Sequence, residues 1–118
     1  MTIRLANTKY VKKRLPLESE IQKQILDFLD FANVFKFRVN TMGVMRKGAF
    51  CPFPSTTKGT ADVIAIHPKY KTLVAIEVKS LTGKQSPDQK TFQKNVEDAG
   101  GLYILARSVN DVRAGLGL

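Results

Sequence analysis

Asp62 and the tripeptide Glu77-Val78-Lys79 are the residues whose types and spacing can do chemistry. They sit in two apolar runs, Gly59-Thr60-Ala61-Asp62-Val63-Ile64-Ala65-Ile66 and Leu73-Val74-Ala75-Ile76-Glu77-Val78-Lys79. Both runs are rich in Val and Ile, as buried strands are. Pro68-Lys69-Tyr70-Lys71 lies between them and reads as a tight turn. A hairpin centred between Lys69 and Tyr70 sets Asp62 directly opposite Glu77. Opposed like charges weaken a strand pair, and a buried carboxylate without a partner is costly. A divalent cation between them removes both problems. Strand side chains alternate, so Lys79 shares a face with Glu77. Two carboxylates and an ammonium in one small site suit metal-assisted phosphodiester hydrolysis. The alternative is that both acids face solvent on an edge hairpin. The apolar residues on both faces of both strands weigh against it. A register slip of two residues would keep the face and lose the direct pairing.

The remaining elements must position this hairpin. Residues 1–17 read as a flexible basic arm ending at Pro16-Leu17, and residues 18–118 as one domain. Glu18 to Phe31 reads as an amphipathic helix, with Ile21, Ile25 and Phe28 at helical spacing and Leu29 broadening the stripe. Glu18 continues that stripe and points toward the core, where a metal site would lie. Equally, an acid there favours the helix N-terminus through the dipole. Glu20 aligns instead with Gln24 and Asp27 on the polar face. Lys36 to Asn40 reads as a short strand. Residues 41–59 are loop-rich, with a short hairpin of which Ala49 to Phe53 forms one arm. Gly59 permits a tight backbone turn beside the site. Ser86-Pro87-Asp88-Gln89 is a helix start, with serine at the N-cap, proline in the first turn and glutamine completing a capping box. That helix stops at Gly100-Gly101. Leu102 to Ala106 reads as a buried strand, and Ser108 to Asp111 opens a short last helix. Ala114 to Leu118 is a tail that ends the chain or joins an interface. The order implies an α/β fold with a mixed sheet flanked by helices.

Composition narrows the function class. The chain has 118 residues, enough for one modest core. No apolar run reaches the length of a membrane span, and no leader resembles a signal peptide, so the expected location is cytoplasmic. A single cysteine, Cys51, excludes an internal disulfide, and with His67 as the one histidine a structural zinc site is not expected. His67 reads as a loop histidine rather than a catalytic one. The net charge is +9. Residues 1–17 carry Arg4, Lys9, Lys12, Lys13 and Arg14 without an acid, and residues 31–61 carry Lys36, Arg38, Arg46, Lys47 and Lys58 without an acid. Such clustering is the footprint of a nucleic-acid binder. Lys12, Lys13, Arg14, Arg38, Arg46, Lys47, Lys58 and Lys84 are the candidate DNA contacts. A solubilising basic surface is the plainer alternative.

Five ordered segments resemble a known family: Glu18-Ser19-Glu20-Ile21-Gln22, Arg38-Val39-Asn40-Thr41, Lys58-Gly59-Thr60-Ala61-Asp62, Glu77-Val78-Lys79 and Ser86-Pro87-Asp88-Gln89. Together they look like the VRR-NUC nucleases of the PD-(D/E)XK superfamily, over about Glu18 to Val112. The resemblance implies a restriction-endonuclease-like fold: a central mixed sheet flanked by helices. It implies Asp62 and Glu77 as ligands of Mg2+ or Mn2+, with the backbone carbonyl of Val78 as a further ligand. Lys79 would orient the attacking water or stabilise charge on the phosphate. Glu18 matches the acid of the first helix, and Gln89 the glutamine after the active-site strand, although its capping role explains it equally well. Ala61 stands where the superfamily name has proline, a form usual in the VRR-NUC branch. The implied products carry 5′-phosphate and 3′-hydroxyl ends. Stand-alone relatives of this size are typically encoded by phages or mobile elements and resemble four-way-junction resolvases. The expected activity is therefore a structure-selective endonuclease on branched DNA such as a Holliday junction, acting as a homodimer. Flap or unbranched-DNA cleavage on the same fold is one alternative. Non-catalytic DNA binding is a second, and a basic protein-interaction module is a third.

Overall fold

The computed structural model describes residues 14–39, 43–52 and 58–118. Helix α1 spans Glu18–Phe31. Ile21, Ile25 and Leu29 are its buried residues, each one turn from the next. The stripe therefore centres on Leu29 rather than Phe28, which is half-buried beside it. Glu20 is not merely a polar-face residue. Its carboxylate accepts the Leu17 N–H at 2.8 Å and holds Arg14 in a two-pronged ion pair at 2.7 and 2.8 Å. Asn33, at φ 57°, closes the helix: its N–H donates to Asp30 and the Val34 N–H donates back to Leu29.

The strands are β1 (Lys36–Arg38), β2 (Gly43–Arg46), β3 (Ala49–Pro52), β4 (Val63–Ile66), β5 (Leu73–Val78) and β6 (Leu102–Ala106). β1 ends at Arg38, sooner than the sequence suggests, and Asn40 lies outside the described residues. β2 and β3 pair as the expected antiparallel hairpin. The other four form one mixed sheet in the order β1-β4-β5-β6, antiparallel except for β5 and β6. A parallel pair requires a crossover, which helix α2 (Pro87–Asp98) supplies. Helix α3 (Val109–Leu116) ends the fold. It takes in Ala114 to Leu116, which the sequence suggests are tail. Leu116 is buried in the core. A Cβ on Gly115 would lie 2.6 Å from the Ile104 side chain, so glycine lets α3 lie close to β6.

α1 and α3 cover one face of the sheet, meeting Val63, Ala65, Val74, Ile76 and Val78. α2 covers the other more thinly. No residue of α2 is fully buried, and Phe92 and Val96 pack over Ala61, Ala75 and Tyr103. The β4–β5 turn is held by His67, which lies in the loop after β4 as the sequence suggests and is buried there. Its Nδ1 accepts the N–H groups of Lys69 and Tyr70, each at 3.1 Å.

Candidate active site

The β4–β5 register pairs Val63 with Ile76 and Ile64 with Ala75. Continued by one residue, it sets Asp62 opposite Glu77, as the turn position predicts. Asp62 itself precedes β4 and forms a bend. Its carbonyl accepts the Val39 N–H at 2.8 Å, which ties it to the end of β1. Its carboxylate accepts the Val78 N–H at 2.7 Å. Val78 thus reaches the site through its backbone, while its side chain is buried on the α1 face.

Glu77 is 2 % exposed, on the thinly covered face. One carboxylate oxygen, Oε2, accepts the Gln89 side-chain amide at 3.0 Å and lies 3.8 Å from the Lys79 ammonium. The other, Oε1, is buried with no hydrogen-bond partner. Burial pushes the Glu77 carboxyl up to about 8, and the Asp62 charge adds to it. Lys79 opposes the shift, while the charge of Glu18 reinforces it. Without a cation, the Glu77 carboxyl keeps its proton at neutral pH.

Gln89 fills both roles that the sequence leaves open. Its side-chain oxygen accepts the Ser86 N–H at 2.8 Å, and its own N–H donates to the Ser86 hydroxyl at 3.2 Å. Its amide nitrogen is then free to face Glu77. One side chain joins the start of α2 to the buried carboxyl. Gly59 makes this approach possible. At φ 73°, it lies so close to α2 that a Cβ would stand 2.3 Å from the Asp88 carbonyl oxygen.

Glu18 is the first residue of α1 and is exposed, and it does not join Asp62 and Glu77 in a three-acid cluster. Among the described residues, no group of three or more His, Cys, Asp or Glu side chains converges to hold a metal. The Lys79 N–H donates to the Ala106 carbonyl at 2.9 Å, and the turn that follows Lys79 is held by Arg107, a residue with no signal in the sequence. The Arg107 guanidinium donates to the carbonyls of Ser80 at 2.6 Å and Gly83 at 2.7 Å, fixing the turn after Lys79. Gln85 bridges Gln93 at 2.9 Å and the Tyr103 hydroxyl at 3.1 Å below the same site. Burial pushes the Tyr103 phenol up to about 12. These contacts span 8 to 27 residues, and no local pattern announces them.

The basic candidates scatter. Arg14 is paired with Glu20. Arg38 ends β1 and is exposed, and Lys58 and Lys84 are exposed in the turns before β4 and α2. Lys47 is exposed in the β2–β3 turn at φ 51°, and Arg46 is the last residue of β2. Lys12 and Lys13 lie outside the described residues. Among the described residues, no helix is long and apolar enough to cross a membrane.

The site fits a hard divalent cation. Its donors are carboxylate oxygens, and Glu77 Oε1 is an acceptor without a donor. Mg2+ is commonly held by one or two carboxylates, with water and phosphate completing its shell, so two acids suffice. Comparison with models of known protein families, with curated proteins and with solved structures finds no match to this chain.

Proposed function

We propose that this protein is a metal-dependent DNA endonuclease with a restriction-endonuclease-like fold, akin to the VRR-NUC nucleases. Its substrate is branched DNA such as a Holliday junction, and it acts as a homodimer that can make paired cuts on a two-fold junction. One observation carries the reading: a buried carboxylate oxygen of Glu77 lacks any donor while its carboxyl faces that of Asp62. A protein that only bound DNA would gain nothing from two acids that repel phosphate.

Asp62 and Glu77 would hold Mg2+ or Mn2+, with the Val78 carbonyl as a third donor. When bound, the cation supplies Lewis-acid polarisation of the phosphate and a lowered pKa for water. The chain's own residues do the rest. The Val78 N–H fixes one oxygen of Asp62. Gln89 fixes one oxygen of Glu77 and leaves the other facing the site. Lys79, beside Glu77, donates to the attacking water and offsets charge gathering on phosphorus. Glu18, at the start of α1, would help to position the water shell of the cation. In-line attack forms a new P–O bond and breaks the bond to the 3′ oxygen, leaving 5′-phosphate and 3′-hydroxyl ends.

The test is cleavage of end-labelled four-way junction, flap, linear duplex and single strand with Mg2+, Mn2+ or EDTA, by wild type and Glu77→Ala. Paired metal-dependent cuts on the junction, lost in the variant, are expected. Cutting mainly of flaps or linear DNA would keep the nuclease and discard the junction. Binding without cutting under either metal would overturn the catalytic reading.

A further inference from the structure

On the face of the sheet opposite Glu77, a groove of about 260 Å3 runs between α1 and the end of β1. Ser19, Gln22, Lys23, Leu26 and Arg38 line it. One wall begins next to the candidate active site. Arg38 precedes Val39, whose N–H is bonded to Asp62.

The lining chemistry is one-sided. Ser19, Gln22, Lys23 and Arg38 can all donate hydrogen bonds, and none of the lining residues is an acid. Among the described residues, Arg38 makes no ion pair and no side-chain hydrogen bond, although Asp30 in the same helix holds Lys36. Lys23 is tied only to Asp27, in an exposed pair of the kind that contributes little. The volume is roughly that of eight waters, enough for a phosphate group with some of its hydration. A planar guanidinium suits two oxygens of a phosphate, and the apolar Leu26 lies against the groove as a sugar face would require.

We infer that this groove is a subsite for a backbone phosphate of the DNA strand adjacent to the one that is cut, with Arg38 as its main contact. The inference rests on the nuclease reading for the identity of the ligand. Through Val39 the groove is tied to the backbone of Asp62, so a phosphate held by Arg38 would position the duplex relative to that residue, as contacts to phosphates do without reading sequence.

The test measures binding of a fluorescent DNA duplex to the full chain in EDTA over a salt series, alongside cleavage in Mg2+ or Mn2+. Wild type, Arg38→Ala, Arg38→Gln and Lys69→Ala are compared. Lys69 lies in the turn at the far end of β4 and β5, so its variant controls for loss of one charge. Arg38→Gln keeps most of the side chain's bulk, and thermal melting checks that every variant is folded. Both Arg38 variants should weaken binding by roughly tenfold and reduce the slope of log K against log salt by about one. In cleavage they should raise KM more than they lower kcat, and Lys69→Ala should match wild type in both assays. If wild type cuts DNA and the Arg38 variants bind as tightly with the same slope, the subsite falls and the nuclease stands. If wild type does not cut but the Arg38 variants still lose slope, the phosphate site stands and catalysis falls. If wild type does not bind DNA at all, both fall.

Discussion

At the scale of single residues, Glu77 and Gln89 make predictions that separate structure from chemistry. Glu77 is nearly inaccessible, and its carboxyl is pushed from an ordinary 4.5 to about 8, chiefly by burial. The folded protein therefore keeps a proton that the unfolded chain has already released over that interval. The Glu77 contribution to the stability of the metal-free protein should be fully present below the ordinary carboxylate range. It should fall as pH rises toward 8, by at most about 1.4 kcal/mol per pH unit. Thermal melts in EDTA across pH 4 to 9 would show this. Glu77→Gln should flatten the profile, and Mg2+ should restore wild type most at high pH, because the cation replaces the proton. A flat wild-type profile would contradict a buried Glu77 that keeps its proton. Gln89 divides its side chain between the α2 cap and Glu77. Gln89→Ala loses both bonds and should cost about 1–2 kcal/mol in denaturant unfolding, with or without Mg2+. Gln89→Glu can still cap Ser86 but aims a third acid at the pair. It should be destabilised in EDTA at pH 8 and recover most of the loss in Mg2+. Equal recovery by both variants would mean that Gln89 acts on the helix alone.

At the scale of elements, the site depends on how closely α2 approaches the start of β4, and Gly59 sets that distance. Gly59→Ala combines a left-handed backbone with a Cβ driven into the Asp88 carbonyl. It should cost about 2–4 kcal/mol in urea unfolding and remove Gln89 from Glu77. Gly100→Ala is the comparison: at φ 91° with nothing near its Cβ, it should cost only about 1 kcal/mol. Similar losses would show that backbone conformation, not contact with α2, is what Gly59 provides. Elements with a local signal were legible in the sequence. The β4–β5 register follows from a turn whose position can be read, and Ser86 and Gly100 mark the ends of α2 because caps are local chemistry. The start of β4 was less legible, because Asp62 extends the strand pattern while its carbonyl and carboxylate are committed to β1 and β5. The extent of α3 was hidden because two glycines near the end mask the buried Leu116. Arg107 was invisible for a different reason. Its partners are backbone carbonyls 24 and 27 residues away, and carbonyls have no signature in sequence.

For the molecule as a whole, the proposed function sets the charge of +9 and the paired acids against each other at the DNA. The basic residues attract the duplex over distances of about a Debye length, so binding should weaken steeply with added salt. On that proposal a phosphate comes closest to Asp62 and Glu77, and without a cation Glu77 gains its charge as pH rises through about 8. The acids should then be a local penalty inside a favourable field. Replacing both with amides, Asp62→Asn and Glu77→Gln together, should tighten DNA binding in EDTA, by a factor that grows as pH rises and salt falls. Adding Ca2+ should reverse the order, because only wild type can hold the cation that bridges acid and phosphate. Fluorescence anisotropy with one labelled duplex, with and without Ca2+, reads both signs. Tighter binding by the double variant under both conditions would mean that the acids hold no cation against DNA. Identical binding by the two proteins throughout would place the DNA away from these acids altogether.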